Sequence, residues 1–138
     1  MGIITRKRTM KCGTARALLL LAAFACSSAG AAATPNAITT QEVAQLLERL
    51  GNSGCEFKRN GTWHGAAQAR DHLNGKYKYL LDKGRISTAE SFIELAGTGS
   101  STSGTPYHVK CQGVPEQESA VWLGAELAKM RKAARQAQ

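Results

Sequence analysis

This chain of 138 residues has few of the residue types that metal, redox and nucleic-acid sites require. It contains three histidines, four cysteines and 6% aromatic residues. The histidines are far apart and no Cys-x-x-Cys pair occurs, so nothing indicates a metal site or a bound cofactor. No basic stripe is interleaved with aromatic residues, which argues against a nucleic-acid partner. We therefore expect no metal, no cofactor and no nucleic acid.

Long apolar runs are also missing. The run over residues 17–25 is too short to cross a membrane, which takes roughly 20 apolar residues. It follows a basic segment and precedes Ala31-Ala32-Ala33, small residues suited to cleavage. The sequence therefore predicts a signal peptide over residues 1–33. The remaining chain, residues 34–138, is predicted to be periplasmic and not embedded in a membrane.

Removing the first 33 residues changes how the charge is interpreted. Five of the eighteen basic residues precede residue 34, whereas all ten acidic residues follow it. Thirteen positive charges then oppose ten negative ones, which leaves +3 instead of +8.

Lipid attachment at Cys26 is an alternative to simple cleavage. It is less favoured because Ala23 and Phe24 are poor residues for that signal.

Two cysteines, Cys55 and Cys111, remain after residue 33. An even pair in a small exported chain predicts one disulfide. Closing so long a loop would stabilise the fold by about 4 kcal/mol in the chain-entropy model. A free thiol or a metal-binding pair is the alternative, but no Cys-x-x-Cys spacing or histidine cluster supports it.

Hydrophobic spacing and turn residues predict one α+β domain over residues 34–138, with three to four helices and a small antiparallel sheet. Asn60-Gly61 predicts a tight hairpin turn, because both residues tolerate positive φ. Pairing the strand before this turn with the strand ending at Cys111 would bring the two cysteines together. The predicted helices cover 39–50, 66–82, 87–96 and 116–135, and the strands cover 55–59, 62–64 and 107–111.

Two of these helices carry N-terminal signals. Thr39 with Glu42, and Ser87 with Glu90, have the spacing of a capping box. The C-terminal helix ends in several Lys and Arg residues, which we interpret as a solvated helix end and not as an anion-binding patch.

Residues 98–105 are all Gly, Ser or Thr, and Pro106 and Tyr107 follow them. This composition predicts a surface loop. The loop is interpreted either as a binding element that offers hydroxyl groups to a partner or as a connector whose serines bond to its own backbone. The sequence leaves both interpretations open.

A periplasmic hydrolase is the alternative to a binding protein. It would use Ser101 or Ser103 with His72 or His108 and a carboxylate such as Asp71. Asp71 and His72 are adjacent on one predicted helix and point about 100° apart, so Asp71 is badly placed to orient its neighbour. No Gly-x-Ser-x-Gly elbow is present. The sequence favours a non-enzymatic binding module.

A set of short motifs in chain order resembles the YfeK-like family of small exported bacterial proteins, a family of unknown function. That resemblance implies a Gram-negative periplasmic protein with no assigned activity. The motifs are Phe57-Lys58-Arg59-Asn60-Gly61, Ala69, His72-Leu73, Lys76, Thr88-Ala89-Glu90, Phe92-Ile93, Ser100-Ser101, Ser103-Gly104, Pro106-Tyr107, Val109, Gly113, Trp122-Leu123 and Glu126-Leu127.

The motif residues outside the predicted core form the candidate binding face, and an envelope protein or a glycan is the expected partner. We expect His72, at the edge of an apolar helix stripe, to hydrogen-bond the segment from residue 100 to residue 107. The candidate face consists of Arg59, Asn60, His72, Lys76, Ser100, Ser101, Ser103, Gly104 and Tyr107.

A second resemblance is local. Ser103-Gly104-Thr105-Pro106-Tyr107 is similar to the Ser-Gly-x-x-Tyr loop of C-type lysozyme inhibitors. In that family the loop inserts into the lysozyme active site, where the serine and tyrosine contact the catalytic carboxylates. That family is an all-β barrel, whereas this chain is predicted to be rich in helix, so a shared function would be convergent.

Overall fold

The computed structural model describes residues 34–138, so the predicted signal peptide and Cys26 lie outside the described residues. Four helices and a four-stranded antiparallel sheet give the predicted α+β class. Within residues 34–138, none of the helices has the length and apolarity needed to cross a bilayer. The elements are α1 (Ala37–Gly51), β1 (Glu56–Arg59), β2 (Thr62–Gly65), α2 (Ala66–Asp82), α3 (Ala89–Phe92), a π-helical turn (Ile93–Gly97), β3 (His108–Lys110), β4 (Gln117–Glu118) and α4 (Ser119–Gln136).

The strands are ordered β2-β1-β3-β4 in one sheet. Strands β1 and β2 are joined by the predicted two-residue turn, in which φ is 49° at Asn60 and 81° at Gly61. Positive φ at both positions is the conformation that matches the twist of a hairpin. In the register of the sheet, Phe57 lies opposite His64 on one side and opposite Val109 on the other. These three side chains therefore share one face, which we call the inner face.

The predicted disulfide between Cys55 and Cys111 is confirmed. Glu56 pairs with Lys110 in the β1–β3 register, so the cysteines occupy the next opposed positions. Their Cα atoms are 4.4 Å apart, which is the spacing of a directly opposed antiparallel pair without hydrogen bonds between the two residues. The bond closes a sequence separation of 56 residues.

The helices pack on the inner face of the sheet and on one another. Aromatic edge contacts link the sheet to α4 and α2 to α3, with 5.5 Å between the ring centroids of Phe57 and Trp122 and 5.5 Å between those of Tyr77 and Phe92. Helix α2 buries Leu73, Tyr77 and Leu80. The side chains without measurable exposure include Val43, Leu46, Leu50, Ile86, Phe92, Val109 and Leu123.

The start of α1 differs from the predicted capping box at Thr39. Asn36 is the N-cap, and its Oδ1 accepts from the Thr39 amide at 2.8 Å. The Thr39 hydroxyl is buried and donates to the Ser87 carbonyl at 3.1 Å. Glu42 binds Arg131 of α4 through both carboxylate oxygens, at 2.7 and 2.9 Å. The prediction was wrong because tertiary partners occupy both members of the expected box.

The third helix also begins and ends differently. Its capping box joins Thr88 with Ser91, instead of Ser87 with Glu90. Glu90 contributes to the fold through Arg131, whose guanidinium it binds together with Glu42. The helix continues past Phe92 as the π-helical turn. Arg131 of the basic C-terminal region is therefore part of an ion-pair network, whereas Lys132 and Arg135 are exposed, as expected for a solvated helix end.

Helix α4 begins at Ser119 and not near residue 116. The two preceding residues, Gln117 and Glu118, pair with Val109 and His108 as strand β4. A two-residue strand carries too little periodicity to be separated from a helix start in the sequence. The consequence is that Ser119 is fixed at the edge of the sheet.

Replacing both disulfide cysteines by serine should lower the free energy of unfolding by up to about 4 kcal/mol, because the unfolded chain regains the entropy of an open loop. Urea denaturation of the oxidised wild type and of the Cys55→Ser, Cys111→Ser variant measures the difference. Wild type treated with a reductant is the matched control and should resemble the variant. Equal midpoints for oxidised wild type and variant would contradict the expectation.

Candidate functional site

The serine-rich segment is an ordered turn. An isolated bridge joins Gly99 to Pro106. Inside it, the Ser100 amide donates to the Thr105 carbonyl at 3.0 Å, and the Gly104 amide donates to the Ser100 carbonyl at 2.9 Å. A Cβ atom at Gly99 would lie 2.7 Å from the Thr105 carbonyl oxygen, so this close approach requires glycine.

Two side chains of α2 hold this segment. His72 Nε2 lies 3.1 Å from the Tyr107 hydroxyl, as predicted for a contact between His72 and residues 100–107. Lys76 Nζ donates to the Gly99 carbonyl at 2.8 Å and lies 5.1 Å from the centroid of the Tyr107 ring. The Lys76 ammonium is therefore a fixed support of the turn instead of a free surface charge.

The hairpin turn of the sheet contacts the same segment. Ser103 Oγ lies 3.3 Å from Asn60 Oδ1 and 2.9 Å from the Thr105 hydroxyl. Ser100 Oγ accepts from the Ser103 amide at 3.3 Å. Ser101 is exposed, and its hydroxyl makes no side-chain hydrogen bond with the described part of the chain. Gly104 supplies a positive φ of 69° in the turn.

Tyr107 does not project outward with Ser103. Its side chain is only 6% exposed, and its hydroxyl faces His72. Ser103, in contrast, is exposed. The paired presentation of serine and tyrosine that the similarity to lysozyme inhibitors implies does not occur in this structure.

A cleft of about 390 Å³ lies beside the turn, between the inner face of the sheet and α2. Arg59, His72 and Tyr107 of the candidate face contribute to it. Sequence reasoning did not single out three further polar residues of the lining, His64, Gln68 and Ser119. Alternation along the hairpin, which puts His64 on the face of Phe57, was the available signal. The polar lining includes Arg59, His64, Gln68, His72, Tyr107 and Ser119, and the apolar lining is Phe57, Ala69 and Leu73.

The cleft has a positive electrostatic environment. Burial lowers the pKa of His72, and the nearby charges of Arg59, Lys76 and His64 lower it further. Burial also lowers the pKa of Lys76 and raises the pKa of Tyr107. A neutral imidazole and a neutral phenol are consistent with the short contact between His72 and Tyr107.

The side chains proposed for a hydrolase are dispersed. His108 lies on the outer face of the sheet, where its Nδ1 is 3.1 Å from Glu116. Asp71 is bound by Arg70, with 2.8 Å between Nη2 and Oδ1. Across residues 34–138, no side-chain hydrogen bond joins a serine to a histidine. The same residues contain no group of three or more His, Cys, Asp or Glu side chains placed to hold a metal ion.

The family model described as a family of unknown function (DUF5329) matches residues 37–131. This range extends from the first residue of α1 into α4 and includes the cleft and the serine-rich turn. The chain therefore belongs to this family. Comparisons with curated proteins and with solved structures gave no match.

The lowered pKa of His72 gives a pH dependence of stability with a definite sign. An unfolded histidine titrates near pH 6.5, above the folded value, so the unfolded chain binds more protons between those two values. The free energy of unfolding should fall as the pH is lowered from about 7.5 through this interval. His72→Gln, which can still bond Tyr107, should lose less stability than wild type over the same range. Equal losses in urea denaturation would refute the assignment.

Lys76→Met should loosen the serine-rich turn, because it removes the donor to the Gly99 carbonyl while keeping the aliphatic stem. A hydrogen bond from a charged donor contributes about 1.5–3 kcal/mol at most, and partial exposure reduces this. Hydrogen exchange of residues 98–107 should accelerate by roughly three- to thirtyfold. Lys78→Met, at an exposed position two residues along α2, is the control and should leave this exchange unchanged. Equal exchange in both variants would contradict the role of Lys76.

Proposed function

We propose that this protein is an exported, non-enzymatic binding module of the YfeK-like type, which acts in the periplasm. Its binding surface combines the hairpin turn of Arg59 and Asn60, the α2 side chains His72 and Lys76, and the serine-rich turn. We call this combined surface the turn face. Its partner is a carboxylate-bearing molecule of the cell envelope, carried by a protein or a glycan.

The observation that carries the proposal is the convergence of three separate stretches of chain. Asn60 contacts Ser103, His72 contacts Tyr107 and Lys76 contacts Gly99. Of these residues, His72 and Tyr107 also line the open cleft. Grouped polar side chains beside a concave surface are typical of a binding site.

Charge supports a carboxylate-bearing partner. Arg59 lines the cleft, and no ion pair joins it to an acidic side chain of residues 34–138. Arginine binds carboxylates well because its planar guanidinium can donate two parallel hydrogen bonds. The exposed hydroxyl of Ser101 adds a donor to a neighbouring depression lined by His72 and Lys76.

The partners of the loop serines support binding over catalysis. Ser103 contacts Asn60 and Thr105, neither of which can act as a general base. His72 is engaged with Tyr107 instead of with a serine. A nucleophilic serine would need a base within hydrogen-bond reach.

Two features support export to the periplasm. The basic and apolar segments of residues 1–33 have the order of a signal peptide. The disulfide between Cys55 and Cys111 is a bond that forms and persists in oxidising compartments.

Removing the hydroxyls of the turn should abolish partner binding without unfolding the protein. The Ser101→Ala, Ser103→Ala variant is compared with wild type by affinity capture from an envelope extract. Ser87→Ala, at an exposed serine away from the turn face, is the control and should capture the same partner as wild type. Glycosidase or protease treatment of the captured material identifies the partner as a glycan or a protein.

Two results would overturn the proposal. If the double variant keeps every partner that wild type captures, the turn is a connector. If a serine-directed covalent probe labels wild type but not the double variant, the protein is an enzyme.

A further inference from the structure

We propose that the inner end of the cleft is a subsite for the carboxylate of a small organic molecule with an apolar body. This inference rests on the proposed function and adds to it the ligand group and the atoms that bind it. The subsite consists of Ser119 at the start of α4, the first turns of α2 and α4, and Arg59.

Ser119 is the first observation. The residue is 1% exposed and lines the cleft, yet its hydroxyl makes no hydrogen bond to any described residue. Its backbone amide is occupied, since it donates to the Tyr107 carbonyl at 2.8 Å. Because Ser119 lines the cleft, its hydroxyl is placed to donate to a ligand there. Among the described residues, the buried side-chain atom without a hydrogen-bond partner is a different one, the Tyr77 hydroxyl.

The starts of α2 and α4 are the second observation. Residues of both first turns, Gln68 and Ser119, line the cleft. Neither helix has a side-chain cap or an acidic residue in its first turn. Helices α1 and α3 differ, because Asn36 and Thr88 cap them. Two long helices with uncapped N-termini at one cleft favour an anion there.

The charges of the lining are the third observation. Arg59 has no acidic partner within residues 34–138, and His64 and His72 lie on the same lining. The acidic side chain of the lining is Asp71, and it is 68% exposed and bound by Arg70. An anion entering the cleft would therefore meet donors and positive charge on its inner surface.

The apolar part of the lining distinguishes among anions. Phe57, Ala69 and Leu73 provide walls beside the donors. A volume of about 390 Å³ is in the range of small-molecule sites and much larger than an inorganic oxyanion needs. A carboxylate attached to a branched or aromatic body fits both kinds of surface. The carboxylate can belong to a free metabolite or to the C-terminus of a polypeptide.

The test uses the exported protein purified from the periplasm and titrations followed by amide chemical shifts. The probes are 4-methylpentanoate, its uncharged analogue 4-methylpentanamide, and inorganic phosphate. The carboxylate should bind saturably, with shifts at the Ser119 and Gln68 amides. The analogue should bind at least about tenfold more weakly, because it lacks the charge. Phosphate should bind more weakly than the carboxylate, because it leaves the apolar walls uncovered.

Variants locate the binding. Arg59→Gln and Ser119→Ala should each weaken 4-methylpentanoate binding, the first by about tenfold or more. Lys110→Gln is the matched control: it removes one positive charge from the outer face, beside Glu56 and away from the cleft, and should bind as wild type does. If Ser119→Ala fails to fold, Gln68→Leu replaces it as the second cleft variant.

A last pair of probes separates the two carboxylate sources. N-acetyl-Ala-Leu with a free C-terminus is compared with the same dipeptide as its C-terminal amide. Binding of the free acid tighter than that of 4-methylpentanoate supports a polypeptide terminus. Tighter binding of 4-methylpentanoate supports a free metabolite.

The inference is wrong if the carboxylate and its amide bind equally, if phosphate binds best, if nothing binds, or if the cleft variants bind as wild type does. These failures are distinguishable from failure of the proposed function. If the carboxylate does not bind while the Ser101→Ala, Ser103→Ala variant still loses its envelope partner, the subsite alone is refuted. If that variant keeps its partner while the cleft binds the carboxylate, the turn face alone is refuted.

Discussion

The antiparallel pairing of β1 with β3 is the constraint on which the candidate site depends. This register places Cys55 opposite Cys111, where the disulfide covalently closes the start of one strand onto the end of the other. At the opposite end of the same ladder, β1 continues into the Asn60 turn and β3 is preceded by Tyr107. Two stretches that are far apart in the sequence are thereby held side by side independently of the polar contacts between them.

Helix α2 adds the third part of the site by dividing its side chains between two environments. Leu73, Tyr77 and Leu80 enter the core, and this burial fixes the rotation of the helix. His72 and Lys76 then lie at the border of the buried stripe, within reach of Tyr107 and Gly99. The polar contacts of the site follow from apolar packing, because the helix cannot rotate without exposing its buried face.

Local sequence signals were sufficient where neighbouring residues determine the conformation. Asn60-Gly61 formed the expected turn, since the φ angles are intrinsic to those two residues. The Thr39 box failed because its members found distant partners, Ser87 for Thr39 and Arg131 for Glu42. Capping patterns describe a helix in isolation, and a buried tertiary partner outweighs them.

The sequence by itself determined the α+β class, the hairpin and the disulfide pairing, because each follows from short-range periodicity, turn chemistry or a count of two cysteines. The contact of His72 with the serine-rich segment was expected from its place at the edge of an apolar stripe together with the family resemblance. Only the tertiary structure revealed that His64 and Ser119 share a cleft with Arg59. The position of Ser119 depends on the two-residue strand β4, whose pairing with β3 fixes where α4 begins. Such a short strand forms only once its neighbour is in place, so no pattern within the sequence could signal it.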